Sequence, residues 1–261
     1  MGNVDEEGFL SEDIINYLHF NLSNHKDLFD FYRKVNVFAQ DYSFKMVIPK
    51  SDYQKLCLGV LYLRSLSTFQ SIYILSSRGI LNETKVLIRT QFEIVFQLVA
   101  ISKHKDLGLK FIQQELIQKK KLVNKTKFWS EALRKKFPEE ESNKMILELQ
   151  NEIKNKHIRE ISTKEYAEKA DLLDFYNTGY AMLSFAVHAN ISDLGKHLVF
   201  DSNGIVSSFS WGPNDDNLKN LLATSIENKM IILNNLDSVF ETNVKDSILL
   251  LKSNFKNIFK F

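Results

Sequence analysis

Only three prolines and nine glycines punctuate the 261 residues of this chain. Proline and glycine are the residues that most often end a helix, so a chain with so few can run long helices without interruption. Between the breaks, apolar residues recur at helical spacing over segments too long for strands. The sequence therefore predicts a mainly all-α fold: a helical bundle with a long charged helical hairpin and one small β-hairpin. No repeat, low-complexity tract or linker divides it, so residues 1–261 read as a single helical domain.

The elements follow from their start and stop signals. Ser11 stands before EDIINYLHFNL as an N-cap and predicts a helix to about residue 22. A second covers 25–42, and MVIP is extended because the residue before a proline avoids the helical region. Ser51 is the expected cap of a long helix that Gly79 ends, and Asn82 the expected cap of the next. Residues 106–162 change character. A basic run, 119–136, gives way to mixed charge, and Pro138 opens a new helix with Glu139, Glu140 and Glu141 in its first turn. This is the helical hairpin, either a solvated charged face or a surface for a partner. A helix over 164–191 follows, then a β-hairpin over 198–211 turning at Asn203-Gly204. Asn214 or Asp215 is the expected cap of a helix to residue 240, and a last helix covers 245–259.

Composition narrows the function classes. With 34 basic and 32 acidic residues the net charge of +2 argues neither for nor against nucleic acid. One cysteine, Cys57, rules out a disulfide framework and suits a reducing cytoplasm. No apolar run approaches the roughly 20 residues of a membrane span. The start, MGNVDEEGFLSEDI, has no apolar core of a secretory signal and lacks the Ser or Thr of a myristoylation site. A cytoplasmic protein without membrane contact is expected. There is no phosphate loop, no GxGxxG turn and no HExxH. His19, His25, His104, His157, His188 and His197 show no ligand spacing, so neither metal nor cofactor is expected. No arginine precedes a histidine at the spacing used by helical ribonucleases of the HEPN type.

The candidate site comes from two helices. VLIRTQFEIVFQLVAI, residues 86–101, carries only two charges, Arg89 and Glu93, four apart and so on one face. Among Ile88, Phe92, Val95, Phe96 and Val99 they read as an ion pair in a buried helix, which costs stability unless paired and hydrogen-bonded. In YNTGYAMLSFAVHANIS, Tyr176, Tyr180, Ser184, His188 and Ser192 recur every four residues as a polar stripe. Both helices are too apolar to face solvent, so the two polar sets are predicted to meet across a helix contact, with His188 near Arg89. Two readings stand open. In one, Arg89 is an anion-binding guanidinium oriented by Glu93, and His188 is a general acid or base. In the other, the pair pins two helices in register and His188 is a bonded core residue.

RGILNETKVLIRTQFEIVFQLVAI, then YAMLSFAVHANIS, a short hairpin and a GP-initiated helix together resemble a bacterial helical family, domain of unknown function 5677. Its pattern is an R-x3-E helix followed by a Y-x3-S-x3-H helix. The resemblance covers about residues 52–236. It implies Arg89 and Glu93, with Arg78 and Glu83 just before them, and then Tyr180, Ser184 and His188 as the matching positions. The assignment is His188, Arg89 and Glu93 as catalytic, and Arg78, Tyr180 and Ser184 as substrate-binding.

By fold-level analogy to helical toxins and phage-defence effectors, the expected function is a bacterial cytoplasmic effector acting on RNA or nucleotides. The alternative is a non-catalytic interaction or sensor module. A protein partner on the 106–162 hairpin and a homo-oligomer are expected.

Overall fold

The computed structural model describes residues 4–135, 137–187 and 194–259. A short helix, α1 (Val4–Glu7), and a 3₁₀ turn lead into α2 (Asp13–Asn24), where Ser11 Oγ accepts from the Asp13 N–H at 3.1 Å. Next come α3 (Lys26–Ser43), α4 (Tyr53–Ser77) and α5 (Leu81–Lys103). The cap of α4 is Asp52 and not Ser51: its carboxylate accepts from the Lys55 N–H at 3.0 Å. An ionised acceptor there also suits the helix dipole.

Gly79 ends α4 as predicted. Its φ of +71° is left-handed, the Ile80 N–H bonds back to Leu75 O, and its own N–H bonds to Ser76 O. This is a Schellman stop. The corner is tight enough that α5 starts at Leu81, so Asn82 lies inside the helix and its side chain caps nothing.

The next helices are α6 (Asp106–Asn124), α7 (Glu131–Arg134) and α8 (Glu139–Asn155). Helices α6 and α8 form the charged hairpin, closed by a small core of Val123, Ile146 and Leu149 with Leu116 and Phe137 against it. At its base, Gly108 lets α6 touch α4: a Cβ there would stand 2.8 Å from Gln54 Cα.

The helix expected over 164–191 is broken. It becomes α9 (Thr163–Lys169), α10 (Leu173–Phe175), a π-helical turn (Tyr176–Tyr180) and α11 (Ala181–Val187). Asp171, at φ +58°, makes a second Schellman stop, with Leu172 N–H bonded to Ala167 O. An aspartate tolerates the left-handed region, so no glycine advertised this break.

Strands β1 (Leu198–Phe200) and β2 (Val206–Phe209) pair antiparallel, Leu198 opposite Phe209, with a bulge after Val199. Asp201 Oδ1 accepts from the N–H groups of Asn203 and Ile205, and Gly204 supplies the positive φ. Trp211 lies beyond the paired residues. Then come α12 (Leu218–Phe240) and α13 (Lys245–Phe259). Asn217, at φ +63°, precedes α12 in place of the expected Asn214 or Asp215; Asn214 Oδ1 instead accepts from the Asp216 N–H.

The core lies among α3, α4, α5 and α12. Tyr32 of α3 stacks on Phe69 of α4 at 3.9 Å and bonds to Phe69 O and Ser225 Oγ. Gln91 of α5 donates to Ser225 O on α12. No helix among the described residues is long and apolar enough to cross a membrane.

Candidate functional site: an arginine held from two elements

Helix α5 presents Arg89 and Glu93 on one face, and the π turn with α11 brings Tyr180 and Ser184 to them. A π turn holds more residues per turn than an α-helix, and such segments recur at functional sites. Here the turn lies close on α5, because a Cβ at Gly179 would stand 2.9 Å from Phe92 Cζ. Tyr180 is buried, stacked on Tyr176 at 5.0 Å and edge-on to Phe96 at 5.9 Å.

All three guanidinium nitrogens of Arg89 donate. Nε reaches Ser184 Oγ at 3.1 Å, Nη1 reaches Glu93 Oε1 at 2.9 Å and Nη2 reaches Tyr180 Oη at 2.8 Å. Tyr180 Oη donates in turn to Glu93 Oε1 at 3.0 Å, which closes a three-membered ring of bonds. Ser184 Oγ donates to Tyr180 O at 2.9 Å. The Arg89 Cζ also lies 4.6 Å from the Tyr180 ring centre, a cation–π contact. The Tyr180 hydroxyl is pushed above its usual pKa by burial and then by the Glu93 carboxylate, while Arg89 pulls it down.

Tyr180 and Ser184 of the polar stripe therefore meet the Arg89–Glu93 pair. The pair is less deeply placed than the apolar sequence around it suggested. The Arg89 side chain is 18% exposed and that of Glu93 33%, so they sit at the core's margin. The break at Asp171 leaves this side of α5 covered by the short elements α9, the π turn and α11 instead of one continuous helix. Solvent reaches the pair, and its desolvation cost falls accordingly.

Arg78 does not join the cluster. It donates to Ile74 O at 3.0 Å and so finishes the end of its own helix. His188 and Ser192 lie outside the described residues, as does the expected approach of His188 to Arg89.

The sequence reading passed over a second polar group nearby. Lys85, one turn before Arg89 on α5, donates to Asn82 Oδ1 at 2.9 Å. Asn82 Nδ2 stands 3.1 Å from His197 Nε2, and His197 Nδ1 stands 2.9 Å from Ser210 O. With Nδ1 carrying the proton, every bond in this chain has one donor and one acceptor. It ties the β-hairpin to the start of α5. The chain lines a cavity of about 290 Å³ together with Trp211, Phe9 and Asp216. The spacing of Lys85 to Arg89 was legible; the partnership of Asn82 with His197, 115 residues away, was not. Among the described residues no group of three or more His, Cys, Asp or Glu is placed to hold a metal ion.

A family model, described as a family of unknown function (DUF5677), matches residues 55–205. The match runs from α4 into the hairpin turn and contains Arg89, Glu93, Tyr180 and Ser184. It stops short of α12, which the expected span of 52–236 included. No curated protein and no solved structure matches the chain.

Proposed function

This chain belongs to the DUF5677 family, whose function is unknown, and from that premise we propose that it is a bacterial cytoplasmic effector of the phage-defence or toxin type, acting on RNA or nucleotides through the Arg89 cluster. One observation carries the reading: Tyr180 and Ser184 reach the Arg89 guanidinium from a separate element, so its orientation is fixed before any ligand arrives. Arginine has five N–H donors, and three nitrogens each spend one here, which leaves two hydrogens for a phosphate oxygen. In the proposed roles Arg89 stabilises phosphate charge, Glu93 and Tyr180 orient Arg89, and His188 transfers the proton. The proposed cleavage needs no metal. Attack by the ribose 2′-hydroxyl on the adjacent phosphorus, with loss of the 5′-oxygen, would leave a 2′,3′-cyclic phosphate and a free 5′-hydroxyl. Incubation of the purified protein with RNA oligonucleotides and nucleoside triphosphates tests this. The expected result is those termini in chelator, lost in His188→Ala without a lower melting temperature. Intact RNA and nucleotides, together with harmless expression, would overturn it.

A specific observation favours a second reading. Each of the three guanidinium nitrogens of Arg89 already has a partner within the fold, as in a structural pin. On that reading the protein is a non-catalytic interaction or sensor module, and the α6–α8 hairpin docks a protein partner. Arg89→Ala would then lower the melting temperature, and neither RNA nor nucleotide would bind the wild type.

A further inference from the structure

Helix α4 is apolar on both of its faces. One face fills the core with Leu58, Tyr62, Phe69 and Ile72, all fully buried. The other faces outward with Tyr53, Leu56, Val60, Leu63 and Ile74; Val60 is 60% exposed and Leu63 57%. In its 25 residues the helix has two charges, Lys55 and Arg64. A surface helix normally turns a charged face to water, and a helix apolar all round is normally buried all round. The outward positions 53, 56, 60, 63 and 67 keep the alternating three-four spacing of a helix–helix seam, and Ser71 and Ile74 continue the same face. Beside them, Ile48 lies across Gly59, where a Cβ would stand 2.4 Å from Ile48 Cδ1, and Val47 next to it is exposed.

We propose that this face of α4 docks a second copy of the chain, with the two α4 helices antiparallel about a two-fold axis near Leu63 and Arg64. The first argument is area. Val47, Ile48 and the five outward residues of α4 expose roughly 600 Å² of apolar surface, so a two-fold pair would bury about 1,200 Å², the lower end of stable interfaces. The second is shape. The first half of the seam is large (Tyr53, Leu56, Val60, Leu63) and the second half begins with two serines, Ser67 and Ser71. Ser71 Oγ already donates to Ser67 O at 3.0 Å, so it asks nothing of a partner. An antiparallel two-fold sets Val60 against Ser67 of the second copy, Leu56 against its Ser71 and Tyr53 against its Ile74. A parallel pair would set serine on serine and leave voids, which packed interfaces avoid. The third is charge. The seam carries no carboxylate, and its one cation, Arg64, stands beside the two-fold axis opposite Leu63 of the second copy, from where its long stem carries its head to water. A strongly charged foreign partner finds nothing to pair with.

Sedimentation velocity at tens of micromolar tests this on the full chain. The wild type should be a dimer, and Val60→Glu with Leu63→Glu a monomer of unchanged helix content. A Val60→Cys, Ser67→Cys double variant should give covalent dimers on oxidation. Within one chain these positions lie two turns apart, about 10 Å along the helix, which no disulfide spans. The native Cys57 is buried and does not compete. Phe209→Glu, on the β-hairpin, should leave the dimer intact. A monomeric wild type, a dimer that survives the double glutamate or forms no cross-link, or a dimer dissolved by Phe209→Glu would each overturn the proposal.

Discussion

Arg89 and Lys229 are both cations laid against an aromatic ring between helices, yet their surroundings are opposite. Arg89 has a carboxylate, two hydroxyls and some access to water. Lys229 on α12 is wholly buried. Its Nζ donates to Ser65 Oγ at 2.7 Å and lies 4.9 Å from the Tyr62 ring centre and 5.5 Å from that of Phe69. No ion pair involves it among the described residues. Burial pulls its pKa down to about 7. The difference follows from chemistry. Arginine keeps its proton at any ordinary pH, so the fold must supply partners for the charge. Lysine can shed its proton, so a dry site is open to it at a free-energy cost.

The largest effect expected from breaking this contrast is at Lys229. The group has a folded pKa below its unfolded value. Below about pH 7 both states hold the proton, the penalty is complete and stability is flat. Between there and the ordinary lysine value of about 10.4, only the unfolded chain holds it, so stability rises by about 1.4 kcal/mol per pH unit. Buried tyrosines, with Tyr42 and Tyr166 pushed up to about 12, turn the curve down above about pH 10 because the unfolded chain loses those protons first. Lys229→Met should remove the rise and add about 3 kcal/mol at neutral pH, as replacement of buried charge by a hydrophobe of similar volume often does. Urea unfolding at several pH values measures both. A slope that persists in Lys229→Met would refute the assignment.

Arg89→Ala should act in the other direction and somewhat less. Removing one partner of a fully buried pair costs about 3–5 kcal/mol. Partial exposure lets water replace some bonds, so a loss of about 2 kcal/mol is expected here. Arg89→Lys should recover little of it, since a point charge on a flexible stem cannot serve three acceptors at fixed angles. Calorimetry reads both, and an Arg89→Ala protein as stable as the wild type would mean that the ring of bonds does not support the fold.

Tyr180→Phe comes next, at about 1 kcal/mol, the usual worth of a hydrogen bond of this kind. It keeps the ring under Arg89 but deletes the hydroxyl shared by Arg89 and Glu93. A double-mutant cycle with Arg89→Ala should give a coupling of about 1 kcal/mol. A coupling near zero would leave the cation–π contact as the main link between α5 and the π turn.

The same contrast explains what could be read in the sequence. Arg89 and Glu93 stood out because they are the only charges in an apolar run, and Tyr180 and Ser184 because their spacing of four gives one face. Satisfaction of polar groups then brought them together. Lys229 follows Glu227 and Asn228 in IENKMIILNN and looks like part of a polar surface run. Only its position against Tyr62 and Ser65 of α4, more than 160 residues earlier, reveals its burial. The helices and their charged hairpin followed from periodicity and from Gly79 and Pro138. The break at Asp171 did not, because an aspartate in a left-handed turn leaves the same sequence trace as an aspartate in a helix. The true cap of α4 lay one residue from the predicted one, since Ser51 and Asp52 both qualify and geometry chose between them.

Ser184→Ala should have the smallest effect on stability and sharpens the functional reading most. Ser184 Oγ donates within its own helix to Tyr180 O and accepts from Arg89 Nε at the exposed side of the cluster. An alanine satisfies a helix well, and water can take the Arg89 Nε–H, so a loss of about 0.5 kcal/mol is expected, at the low end for a hydrogen bond. Its effect on anion binding should be larger in proportion. Of the three bonds that fix the guanidinium, this one holds Nε, and without it the plane keeps only its Nη1 and Nη2 anchors and can tilt about the line between them. If Arg89 receives phosphate, Ser184→Ala should weaken binding of inorganic phosphate or a mononucleotide several-fold, measured by titration calorimetry, with melting almost unchanged. If the cluster is only a pin between α5 and α11, neither ligand binds the wild type, and the substitution moves nothing but the melting temperature.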